Sequence, residues 1–241
     1  MTRPNRLLLP LCCLALAGCD GGWSLKEFTN RSLVFLVTDA DAPAYQAVLD
    51  YDTSAKGCGH LGGTRVTQDG AELKMTARGG AADAGDGACP RPYWTMTAGG
   101  AAAQYVTVKL EDGSLTANAV MENLFAKRSV LLKSAASGRM SDLVQFDFQP
   151  ASDTMDELEV SFLADGAGEL EKVIWYNTFS GQAQWEKNTV KVPIPARQSA
   201  AVGKVRFVAQ PRALAFACDN LASCKTDGLK VSGQFPFTVL P

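Results

Sequence analysis

What most constrains this chain is a repeated local pattern: short runs of alternating apolar and polar residues closed by tight turns. Residues 64–67 and 71–76 flank Asp69-Gly70, and residues 105–110 and 114–120 flank Asp112-Gly113. An Asp-Gly pair tolerates the positive φ angles of a two-residue hairpin turn, and a period of two suits a strand with one buried face. The run Leu33-Val34-Phe35-Leu36-Val37 is continuous and apolar, as expected of a buried strand. Residues 43–52 leave two options open. Tyr45, Val48 and Leu49 make a helical face, whereas Tyr45, Ala47, Leu49 and Tyr51 make a strand face.

Beyond Met121 a second series begins, at residues 130–133, 143–148, 158–163, 170–176, 190–194, 205–208 and 229–239. Val144-Gln145-Phe146-Asp147-Phe148 and Val190-Lys191-Val192-Pro193-Ile194 alternate as half-buried strands do. Short strands with turns between them resemble the immunoglobulin-like β-sandwich. The expected fold is therefore all-β, with two such sandwiches in tandem over residues 32–125 and 126–241, jointed near 123–129. One large β-sandwich or jelly roll is the alternative.

The start of the chain is different in kind. Arg3 and Arg6 precede an apolar stretch from Leu7 to Ala17, and small residues follow: the layout of a secretory signal. The tetrad Leu16-Ala17-Gly18-Cys19 resembles the lipobox of bacterial lipoproteins, a resemblance that covers the first 19 residues. It implies removal of residues 1–18, diacylglyceryl attachment to the Cys19 thiol, and acylation of the new amine by a fatty acid such as palmitate. Two or more acyl chains hold a protein firmly to a bilayer where one is marginal. The implied location is the bacterial cell envelope, lipid-anchored at the inner or outer membrane and facing the periplasm or the exterior. Asp20 resembles the inner-membrane retention signal of enterobacteria. Residues 19–31 then form a short lipidated tether, reaching at most about 40 Å beyond Cys19.

Of seven cysteines, Cys12 and Cys13 lie in the signal and Cys19 takes the lipid. Cys58, Cys89, Cys218 and Cys224 remain, an even number suited to disulfides in an oxidising compartment. Four cysteines allow three pairings, and proximity favours Cys58–Cys89 and Cys218–Cys224.

Composition narrows the chemistry. With 23 basic against 25 acidic residues, the chain lacks the strongly basic balance of a nucleic-acid binder. His60 is the single histidine, which excludes any site needing two imidazoles in one chain. No G-x-S-x-G elbow or S-x-x-K motif supplies a nucleophile, and no cofactor is expected. Asp156, Glu157 and Glu159, and Glu169 and Glu171, are candidate paired carboxylates. Glycoside hydrolysis needs two such groups facing each other across a sugar, whereas a solvated sheet face explains them more simply. Asp39 and Asp41, and Asp83 and Asp86, offer oxygen ligands for calcium but no EF-hand or RTX-like spacing, so no metal site is assigned.

Aromatic residues give the best binding clue: Tyr93-Trp94, Trp175-Tyr176 and Trp185. Neighbours on a strand point to opposite faces, so an outward member can stack on a sugar or anchor a partner protein. The expected function is a membrane-anchored, non-enzymatic binding or scaffold module, alone or as a subunit of an envelope complex docking by strand addition. Its expected partners are the bilayer, through acylated Cys19, and an envelope protein or glycan. The alternative is an envelope enzyme acting on glycans through paired carboxylates.

Overall fold

The computed structural model describes residues 24–38, 44–52, 61–77, 91–98, 103–113, 115–140, 142–166, 168–176, 184–196 and 199–241, with the side chains of 156, 168–176 and 185 outside the description. The described chain is all-β. The first series comprises β1 (Thr29–Val37), β2 (Tyr45–Asp52), β3 (Arg65–Gln68), β4 (Ala71–Glu72), β5 (Met75–Ala77), β6 (Tyr93–Met96), β7 (Tyr105–Asp112) and β8 (Leu115–Glu122). Next come β9 (Ser129–Leu132), β10 (Ser137–Gly138), β11 (Leu143–Gln149), β12 (Thr154–Ala164), β13 (Gly168–Tyr176), β14 (Gln184–Glu186) and β15 (Thr189–Pro193). The chain ends with β16 (Ala201–Arg212), β17 (Ala215–Asp219), β18 (Ser223–Asp227) and β19 (Val231–Val239).

Local sequence accounts for much of this. Asp69 and Gly70 adopt φ angles of 50° and 85°, and Gln68 pairs with Ala71, so this Asp-Gly pair is the two-residue turn between β3 and β4. At the second Asp-Gly pair, Asp112 instead pairs with Leu115, which moves the turn one residue on. Residues 45–52 are a strand burying Tyr45, Ala47, Leu49 and Tyr51, so the period of two prevails over the helical option. The apolar run in β1 also alternates: Leu33, Phe35 and Val37 are buried, while Val34 and Leu36 are half-covered on the other face.

The strands form four sheets, ordered β18-β1-β2-β6-β5, β17-β8-β7-β3-β4, β10-β19-β16-β12-β13 and β14-β15-β11-β9. The first two sheets share one hydrophobic core, in which Leu33, Phe35, Leu49 and Trp94 meet Val66, Val108, Leu110 and Ala119. The other two share a second core, built around Phe146, Phe162, Val192, Phe207 and Phe237. Two sheets over a common core is sandwich-like packing.

The cores are not successive in the chain. Leaving β16, the polypeptide crosses to the first core. There β17 pairs with β8, and β18 pairs with β1 in parallel, extending one edge of each sheet. Ala213 and Leu229, which bracket this excursion, are buried in the first core. Cys218 and Cys224 are disulfide-bonded, with Cα atoms 5.8 Å apart, across the turn between the two strands. Buried Thr226 accepts a hydrogen bond from the Ala213 amide through its hydroxyl at 3.0 Å, tying the excursion's exit to its entry. Gly228 then has φ of +81° and lies so close to the Val37 carbonyl that a Cβ would collide with it. Only glycine fits both demands as the chain turns back towards β19.

Candidate functional site: an outward aromatic pair beside a buried joint

The stretch joining the two cores is anchored by a buried ion pair. Arg128 and Asp153 have side-chain exposures of 4% and 0%, and Arg128 Nε lies 2.9 Å from Asp153 Oδ2. Arg128 Nη1 also donates to the carbonyls of Leu124 and Ala126 at 2.8 and 2.7 Å. The guanidinium thus folds its own joint segment around itself while holding the turn between β11 and β12. Asn123, in the left-handed region at φ 54°, donates from Nδ2 to Ser152 Oγ at 2.9 Å across the same gap. On the other side of the joint, Phe125 packs edge-on against Tyr45 with ring centroids 4.6 Å apart.

Burial dominates the electrostatics here. It pushes the Asp153 carboxyl up to about 6; the Arg128 charge and hydrogen bond oppose this, and the neighbouring Glu122 charge adds to it. Burial likewise raises the Tyr45 hydroxyl, against the pull of Arg128. A buried pair of this kind fixes geometry; it offers no nucleophile.

Adjacent to the joint, on the outer face of the β7-β8-β17 sheet, sits an exposed aromatic pair. The rings of Tyr105 and Phe216 lie 5.3 Å apart and are tilted by 59°. They are 42% and 66% exposed, with Leu214 beside them at 39%. Phe216 is the extra residue where Ala215 opposes Met121 but Ala217 opposes Val120. A bulge of this sort re-aims a side chain, and here it leaves a phenylalanine facing water. Tyr105 pairs with Glu122 across the β7–β8 ladder. Gln104 Nε2 reaches both Tyr105 Oη and Glu122 Oε1 at 3.4 Å. Two aromatic rings with an amide and a carboxylate at their rim make this face the candidate binding surface.

The aromatics singled out in the sequence fall elsewhere. Trp94 is 1% exposed and lies in the first core, while Tyr93 is half-buried on the opposite face of β6. Trp175 and Tyr176 end β13 and Trp185 lies in β14; their side chains are outside the described residues. Also outside are Cys19, Cys58, Cys89, His60 and the calcium candidates Asp39, Asp41, Asp83 and Asp86. Among the described residues no group of three His, Cys, Asp or Glu side chains is gathered for a metal, and no helix is long and apolar enough to cross a membrane.

Of the paired carboxylates, Glu159 Oε1 lies 2.7 Å from Arg206 Nη2 and accepts from Ser161 Oγ at 3.2 Å. Glu157 accepts from Gln210 Nε2 at 3.2 Å. Glu169 and Glu171 lie on β13, with their side chains undescribed.

Sequence reasoning passed over Tyr105 and Phe216. For Tyr105 a signal existed: it falls in phase with Thr107, Lys109 and Glu111, opposite to buried Val106, Val108 and Leu110. For Phe216 none existed, because a bulge leaves no mark in the alternation. Compared with known protein families and with curated proteins, the chain matches none.

Proposed function

We propose that this protein is a lipid-anchored lipoprotein of the bacterial envelope that acts as a non-enzymatic binding or scaffold module. In this reading Cys19 carries the acyl chains and residues 20–23 tether the body. The tether expected to run to residue 31 is shorter, because Leu25 and Phe28 are buried in the first core and β1 begins at Thr29. That body is two immunoglobulin-like sandwiches, the second lending β17 and β18 to the first. The observation that carries the binding role is the Tyr105–Phe216 pair, held outward on a sheet whose other face is packed core. Glu157 and Glu159 support the non-catalytic reading, since neighbouring side chains already engage both carboxylates.

Affinity capture from detergent-solubilised membranes tests it, with the wild-type chain and Phe216→Ala as baits. An envelope component retained by the first and lost from the second supports the reading. Recovery of the bare protein from both counts against it. Anchoring has a separate check: Cys19→Ala should give an unprocessed or soluble form, and unchanged membrane partitioning would refute the lipid.

A further inference from the structure

We propose that the Tyr105–Phe216 surface, with Gln104 and Glu122 at its rim, is a subsite for one pyranose ring of a neutral carbohydrate chain. This rests on the reading of the protein as a binding module and gives its ligand a chemical class. The apolar part supplies the stacking. One face of a pyranose presents C–H groups carrying slight positive charge, and these are attracted to the negative face of an aromatic ring. Phe216, lifted outward by the bulge and two-thirds exposed, offers such a face, and Tyr105 stands at an angle beside it.

The polar rim supplies the hydroxyl recognition. Glu122 Oε1 receives Gln104 Nε2 at 3.4 Å and Asn123 Nδ2 at 3.5 Å, both long for amide donors. A carboxylate served by such long contacts retains accepting capacity, and the Gln104 amide retains donating capacity. Adjacent sugar hydroxyls require that combination of acceptor and donor.

Charge and size exclude the other occupants. Asp219, hydrogen-bonded by Asn118, lies on the same sheet as Glu122, so two carboxylates oppose an anionic ligand. Lys109, further along the Tyr105 face of β7, is held by Glu111 at 2.5 Å. The exposed apolar part is three side chains, Tyr105, Leu214 and Phe216. A stable protein interface buries about 800 Å² on each partner, far more than they present, whereas a pyranose is about the size of one ring.

The test is titration calorimetry on the full lipidated chain in detergent micelles. The probes are cellohexaose, chitohexaose and maltohexaose, with polygalacturonate as the anionic control. At least one neutral hexasaccharide should bind. Phe216→Ala should weaken it by about tenfold and Glu122→Gln by about threefold, with thermal midpoints unchanged. In saturation-transfer NMR, irradiating the aromatic protons should saturate ring C–H protons of the bound sugar, and Phe216→Ala should reduce the effect at matched sugar concentration.

Three results would overturn the inference: no neutral probe binds, binding is indifferent to Phe216→Ala, or polygalacturonate binds as tightly. If no sugar binds yet Phe216→Ala abolishes capture of an envelope protein, the carbohydrate assignment falls and the binding-module reading stands. If neither experiment responds to Phe216, both fall.

Discussion

The two hydrophobic cores use the same kind of strand and differ in how the chain supplies them. The second is enclosed by long strands, β12, β16 and β19 of eleven, twelve and nine residues. Of these, β16 pairs with β19 over a continuous register and with β12 over one interrupted by a single shift between Met155 and Glu157. Phe146 contacts Phe207 and Phe235 across it, with ring centroids 5.1 and 5.9 Å apart. The first has shorter strands and closes one side with a segment from far downstream, where Asn118 meets Asp219 across 101 residues and Ser32 meets Ser223 across 191. That borrowed segment carries the described disulfide and, through its bulge, half of the exposed aromatic pair. The difference separates two roles. The second core is self-sufficient packing, whereas the first is completed by a clasp that also builds the candidate binding face.

The largest expected effect lies where the cores meet. Arg128→Ala leaves Asp153 buried without its partner and frees the carbonyls of Leu124 and Ala126. It should cost about 3–5 kcal/mol in denaturant unfolding. A loss below about 1 kcal/mol would mean that the joint does not hold the cores together.

Next is the clasp. Replacing both Cys218 and Cys224 by serine removes the cross-link from a short loop, worth at most about 2.4 kcal/mol by loop entropy. Amide exchange should accelerate in β1, β8, β17 and β18 while β12 and β16 keep their protection. Uniform acceleration across both cores would erase the distinction drawn here.

A smaller effect depends on pH. Asp153 has a folded pKa of about 6 against an ordinary 3.8, so the folded state holds a proton that the unfolded state releases in that window. The stability this proton brings is fully present below about pH 4 and is lost as pH rises through about 6. Wild-type stability measured relative to Asp153→Asn should therefore decline from pH 4 to 7. A flat or rising difference would contradict the role of burial at the joint.

Smallest is the surface itself. Tyr105→Ala and Phe216→Ala should each change stability by less than about 0.5 kcal/mol, since Phe216 is two-thirds exposed, Tyr105 is 42% exposed, and neither belongs to a hydrophobic core. A larger loss would make the pair structural packing rather than a binding face.

How much of this could be read in advance follows from the physics of each element. Alternation located β7, β8, β11 and β15, because one buried face imposes a period of two, whereas in β2 the same residues also fitted a helical face and only packing decided. Cysteine proximity predicts the Cys218–Cys224 bond. It also suggests a mere loop staple, since nothing in residues 215–227 announces that β17 and β18 pair with strands a hundred and more residues earlier. A boundary between residues 125 and 126 follows the order of strands along the chain, and the excursion crosses it because packing ignores that order. Arg128 and Asp153 are ordinary surface residue types in the sequence; only the meeting of two cores buries them. The aromatic pair was half legible, Tyr105 by its phase and Phe216 not at all.

The most direct test compares two positions of nearly equal exposure and apolar character. Phe216 is 66% exposed on the clasp of the first core, and Val202 is 64% exposed at the start of β16 in the second. A photo-crosslinking amino acid placed at each position in the full-length protein, irradiated in intact cells, should give a discrete adduct in the membrane fraction at 216 and none at 202. Equal adducts at both positions, or a protein found only in the cytosol with no adduct at 216, would contradict an anchored module that binds through this face.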